Sequence, residues 1–173
     1  KVWAETCPHF LTFVREDMTE HGPFLKFSPV MRDESNRMLM WKLLDEGYVD
    51  SFGSDHCPFT REEKEKGMDD IFQAPNGIPG LEVMLPVLLD GVSQGLTSLE
   101  RVVEITSLNP AKIYGYYPQK GALEIGADCD LTIVDMELEK TYTDQDRKSK
   151  CDWSPYFGRT FKGWPVLTVV RGS

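Results

Sequence analysis

The chain has 173 residues and a formal net charge of −9, long enough for one domain with a real core and too short for a whole (β/α)8 barrel of about 250 residues. It carries no basic stripe, which argues against a nucleic-acid partner. No apolar run approaches the roughly 20 residues of a membrane span, and no signal peptide is visible.

Residues 2–5 read as a short buried strand, and the abrupt start at Lys1-Val2-Trp3-Ala4 reads as the C-terminal piece of a longer polypeptide. A short helix is predicted within 10–20, then a turn at His21-Gly22-Pro23. A second strand is predicted over 25–28, ended by Pro29. Residues 33–46 form an amphipathic pattern, with Met38, Leu39, Trp41, Leu43 and Leu44 near helical spacing, Asp33 as cap and Gly47 as stop. A third strand falls at 49–53, so the predicted strands recur about 25 residues apart, the spacing of βαβ units.

Residues 60–78 read as a long loop with a charged helical turn, and the run Arg61-Glu62-Glu63-Lys64-Glu65-Lys66 as a solvated face. An apolar helix is predicted over 80–95, kinked at Pro86. Another follows over 98–106 with Ser98 as cap, and Asn109-Pro110 opens a third that Gly115 stops. Composition then changes. A turn-rich stretch at 121–126 leads to strands at 130–135 and 164–171, separated by a polar, exposed 138–152. A domain boundary is expected between 1–118 and 119–173. Trp41, Trp153 and Trp164 read as packing residues. Cys7, Cys57, Cys129 and Cys151 lack paired spacing, which reads as reduced, mostly buried thiols of a cytoplasmic protein.

Three segments follow predicted strands and end in polar or metal-ligating groups: Glu5-Thr6-Cys7-Pro8-His9, Phe27-Ser28-Pro29 and Gly53-Ser54-Asp55-His56-Cys57-Pro58-Phe59. Parallel α/β barrels deliver functional groups in this way. Asp55 can bind a divalent metal and take a proton from metal-bound water, and His9 can present a ring nitrogen to the same metal. Two ligands do not complete a zinc site, which takes three or four. His56 can orient Asp55 or a bound water, or pack beneath the site.

The stretches ETCPHFL, KFSPVMRD, GSDHCPF, APNGIPGLE, TSLNPAKIYG, KGALEIGADCDLTIVD and SPYFGRTFKGWPVLTVVRG, in this order, cover nearly the whole chain. Together they resemble the C-terminal part of the cyclic amidohydrolases: D-hydantoinase, dihydropyrimidinase, allantoinase and dihydroorotase. The resemblance implies an α/β fold, the last strands and helices of a (β/α)8 metal-dependent barrel plus part of a small β-sandwich. It implies a divalent metal, zinc as one or two ions, with a bridging carboxylated lysine outside this chain. It also implies His9 as ligand of the second metal, Asp55 as ligand of the first and as general base, Ser28 as a substrate contact through its backbone, and Asn76 in a similar role. Hydrolysis of a cyclic amide or ureide to an N-carbamoyl or ureido acid is the implied reaction, in a homodimer or tetramer, with the fragment alone inactive.

Ser28, Phe59 and Asn76 look closer to hydantoinase or dihydropyrimidinase than to dihydroorotase, because Phe59 offers an orotate carboxylate no donor. Met31-Arg32-Asp33 has an allantoinase flavour. A dihydroorotase and a non-catalytic scaffold relative, of the collapsin-response mediator type, are the competing readings; retention of His9 and Asp55 argues against the scaffold. A cleaved product binding partners through an exposed barrel edge is a third.

Overall fold

The computed structural model describes residues 2–173. Two parallel strands, β1 (Glu5–Thr6) and β2 (Ser51–Phe52), pair directly, Glu5 opposite Ser51 and Thr6 opposite Phe52. This corrects the expected three-strand series. Residues 25–28 are no strand: a single tight turn runs Gly22–Leu25, and the chain beyond it is not laddered. Leu25 and Phe27 are apolar because they are buried, and burial alone does not distinguish a strand from a turn. The first strand also starts later than expected, for Val2 is 92 % exposed.

Helix α1 (Pro8–Thr12) begins earlier than expected, because Cys7 is extended and Pro8 sits in the first turn, where its missing N–H costs nothing. Phe13 returns to extended backbone, and the rest of the predicted 10–20 helix is a single turn at Arg15–Asp17 and the short α2 (Met18–His21). His21 is only half-buried, its ring 5.9 Å from that of Phe13.

Helix α3 (Glu34–Asp45) forms where the pattern predicts it. The Asp33 carboxylate accepts the Asn36 N–H at 3.1 Å, and Gly47 leaves at φ 88°. Trp41 and Leu44 face inward. The Trp41 indole N–H donates to the Leu11 carbonyl at 3.0 Å, and its ring lies where a Cβ on Gly91 would approach to 2.3 Å. Glycine at 91 is what lets α3 and α5 (Met84–Ser93) meet here.

A tight turn at Leu81–Val83 leads into α5, which places Pro86 in the first turn. The proline therefore marks the start of the helix instead of interrupting it, which corrects the expected kink. Helix α6 (Leu99–Val103), capped by Ser98, runs through a π-helical turn (Glu104–Leu108) into α7 (Asn109–Ile113), joining two helices expected to be separate. The buried Arg101 guanidinium donates to the carbonyls of Leu44, at 2.7 Å, and Val49, which ties α6 to the elements flanking β2.

Strands β3 (Leu131–Thr141) and β4 (Thr160–Val169) make a long antiparallel ribbon with two register shifts, and β4 lies against α5. Both are longer than predicted. The 138–152 segment is not simply exposed: Tyr142 and Cys151 are buried, Tyr142 against the Phe157 ring at 5.4 Å. Trp41, Trp153 and Trp164 are all buried, as packing residues should be. The cysteines are free, but only Cys151 is buried and Cys129 is exposed. No helix among the described residues is long and apolar enough to cross a membrane.

Candidate active site

Beyond β2 the chain bends sharply. Asp55 adopts φ 43°, in the left-handed region that non-glycine residues rarely visit. Its side chain is 48 % exposed, and Oδ2 lies 3.8 Å from His9 Nε2. His9 occupies the first turn of α1, just past β1, so the two parallel strands bring the expected pair face to face.

Their surroundings differ. His9 is 1 % exposed, wedged between the rings of Phe10 and Phe27 at centroid distances of 4.4 and 4.3 Å. Burial pulls its pKa down to about 4, so the ring is neutral at pH 7. Its Nε2 is enclosed and has no hydrogen-bond partner. A buried polar atom left unpaired costs about 1–3 kcal/mol, so this nitrogen faces Asp55 at a cost. Next to it the Cys7 thiol is pushed up to about 12, first by burial and then by the Asp55 and Glu5 carboxylates, so it is no nucleophile.

His56 does not turn toward Asp55. Its Nδ1 accepts the N–H groups of Gly80, at 3.1 Å, and Leu81, at 3.2 Å, which leaves the ring proton on Nε2. Nε2 faces Ser149 Oγ at 3.2 Å, and Ser149 donates to Glu82 at 2.6 Å. Glu82 also accepts the N–H groups of Lys148 and Ser149. Burial would raise the Glu82 pKa, but these bonds outweigh it and hold the carboxyl below its usual range. The relay fastens the Asp55 loop to the segment before Cys151. Nothing in the local sequence around Glu82 or Ser149 signals it.

Ser28 and Asn76 are both exposed. Their loops are laced to each other and to the Asp55 loop through backbone: the Gly77 N–H donates to the Lys26 carbonyl at 3.0 Å, and the Cys57 N–H to the Ile78 carbonyl at 3.0 Å. Gly77 has φ 129°, and a Cβ there would sit 2.3 Å from Cys57 Cβ, so only glycine permits this approach.

The charged helix α4 (Arg61–Glu65) contains the feature that sequence reasoning missed. Thr60 and Glu63 close its first turn reciprocally. Lys64 is not on a solvated face: it is 0 % exposed, and its ammonium donates to the carbonyls of Lys26 at 3.1 Å, Pro75 at 2.9 Å and Gly77 at 3.0 Å. A run of alternating charges gives no sign that one member points inward.

Asp55 and the orphaned His9 nitrogen fit part of a divalent-metal site. Among the described residues no group of three or more His, Cys, Asp and Glu side chains gathers as a cage.

The model of the Amidohydrolase family matches residues 8–173, and the chain belongs to that family. It is 40 % identical over 173 residues to an L-hydantoinase of Paenarthrobacter aurescens, covering 99 % of this chain and 38 % of that protein. A dihydroorotase of Pyrococcus furiosus is 40 % identical over 168 residues, covering 97 % of this chain and 38 % of the relative. The solved structure of an L-hydantoinase (dihydropyrimidinase) from Arthrobacter aurescens superimposes with a TM-score of 0.95, covering 99 % of this chain and 38 % of that one. The fold is therefore an amidohydrolase fold, and the chain spans 38 % of the length of these relatives.

Proposed function

We propose that the chain forms the C-terminal part of a metal-dependent cyclic amidohydrolase, residues 1–118 completing a (β/α)8 barrel and 119–173 supplying part of a small β-sandwich. In the parent protein, the reaction would be hydrolytic opening of a cyclic amide or ureide of hydantoin, dihydropyrimidine or allantoin type. Dihydroorotate is the competing substrate, and relatives at equal identity carry both names. The observation that carries the reading is Asp55, a half-exposed carboxylate on a strained turn at the end of β2, facing His9 across 3.8 Å.

A divalent metal, zinc in this reading, would be held by Asp55 and by ligands outside this chain, among them a carboxylated lysine. When bound it polarises the ring carbonyl and lowers the pKa of the attacking water. Asp55 takes the proton of that water and passes it to the departing ring nitrogen. Both ends of the bond need help, because an amide is a poor electrophile and its nitrogen a poor leaving group. The Ser28 backbone, and Asn76 in a similar role, would bind the polar edge of the ring. The working protein in this reading is a cytoplasmic dimer or tetramer.

His9 has two readings. As a metal ligand it would present Nε2, which faces the Asp55 carboxylate at 3.8 Å and has no other partner. In the other, His9 is a structural histidine packed between the Phe10 and Phe27 rings; its unpaired Nε2 favours the ligand. Metal analysis of full-length His9→Gln separates them: loss of one bound ion supports the ligand, whereas full metal content with lowered stability supports the structural histidine. Wild-type turnover from Asp55→Asn would sink the assignment of Asp55 as base, and a substrate panel of hydantoin, dihydrouracil, allantoin and dihydroorotate selects the ring.

A further inference from the structure

An ammonium group has three protons and no lone pair, so it is satisfied by three acceptors. Lys64 has found them all in backbone carbonyls, and the choice of carbonyls is informative. Pro75 and Gly77 bracket Asn76 on either side, and Lys26 lies two residues before Ser28. The same Lys26 carbonyl accepts the Gly77 N–H, so both loops meet at one oxygen. Lys26 adds its own ammonium to the carbonyls of Ala74, at 2.5 Å, and Phe72. The Trp153 ring, centred 5.7 Å from Lys64 Nζ, closes the remaining side.

These loops have little other means of holding a shape. Residues 26–28 belong to no ladder, and 74–77 lie between a single tight turn at Ile71–Gln73 and an isolated parallel bridge of Ile78 with His56. Their carbonyls are satisfied by a side chain because no strand is available to do it. Carrying an ammonium into the interior is costly unless its partners are strong and complete. A lysine merely filling space would be replaced at no loss by an apolar residue.

From this geometry we propose that Lys64 is a positioning residue for substrate recognition, its ammonium fixing the spacing between the Ser28 and Asn76 loops. The proposal rests on the reading of Ser28 and Asn76 as substrate contacts. Lys64 touches no substrate itself. Arginine cannot replace it, because a planar guanidinium does not direct three donors at carbonyls gathered around one nitrogen.

The test uses the full-length parent protein with its metal, on whichever ring the substrate panel selects. Lys64→Met and Lys64→Arg are compared with Ser28→Ala, Asn76→Ala and the exposed control Lys66→Met. Lys64→Met is expected to raise KM about tenfold while kcat falls less than threefold and metal content stays at the wild-type level. Lys64→Arg should not restore KM, and Lys66→Met should match wild type. Adding Asn76→Ala to Lys64→Met should cost less than the product of the two single effects, because the loop is already displaced. If Asn76→Ala and Ser28→Ala raise KM but folded Lys64→Met does not, the proposal is overturned and the substrate contacts stand. If neither the alanine variants nor folded Lys64→Met moves KM, the contact reading itself fails. Should Lys64→Met not fold, Lys64→Gln, which keeps two donors, replaces it. Failure of both to fold overturns the proposal and assigns Lys64 to the core.

Discussion

The loops at 53–59 and 74–80 and the β3–β4 ribbon satisfy their backbone in opposite ways. In the ribbon the ladder closes on itself, leaving side chains free to pack or face outward: Trp164 is buried while Val166 and Leu167 are exposed. In the loops almost no ladder exists, and side chains do the work: Lys64 on three carbonyls, the His56 ring on two N–H groups, Ser54 on the His56 N–H. Regular structure can lose a side chain and keep its path. Irregular structure that presents chemistry depends on particular side chains for its path, so a substitution there changes geometry before it changes stability.

That contrast can be broken. The largest effect expected is on turnover. Asp55→Asn in the full-length protein should lower kcat by about 10²–10⁴-fold, the usual contribution of a general base, with little change in thermal midpoint, read by steady-state kinetics beside calorimetry. Trp164→Ala in the ribbon should do the reverse, costing about 3–5 kcal/mol of stability in urea titrations while kcat per folded molecule stays within a factor of two. A folded Trp164→Ala protein without turnover would erase the distinction between the regions.

Smaller effects sharpen it. Burial, and then the nearby Lys26 charge, lower the Lys64 pKa from 10.5 to about 8 in the folded protein. Between those values the unfolded chain holds the extra proton, so stability should rise with pH across that window. The urea midpoint of wild type minus that of Lys64→Met should therefore climb above pH 8; a flat difference would contradict the buried ammonium. The smallest effect concerns the thiols. At pH 8 iodoacetamide should label exposed Cys129 well before Cys7, whose thiol is pushed up to about 12, as peptide mass spectrometry would show.

Much of the helical frame was legible from local pattern. Helix α3 follows from its apolar spacing, Asp33 and Gly47, because those residues act within a few positions of one another. The Asp55 and His9 positions were legible too, through strand-end motifs. What escaped depends on contacts between distant positions. The apolar run at 25–28 is buried by other elements and not by a ladder, so it imitates a strand. Lys64 sits in a charge run whose neighbours do face solvent, and its partners at 26, 75 and 77 are identified only once the loops are folded together. The His56–Ser149–Glu82 relay spans both halves of the chain and is equally silent in sequence.

Anomalous diffraction from crystals of the full-length protein grown with its divalent metal addresses Asp55 most directly. A metal peak about 2.0–2.2 Å from an Asp55 carboxylate oxygen is expected. Metal density elsewhere in the barrel, with none near Asp55, would contradict its assignment as ligand and base.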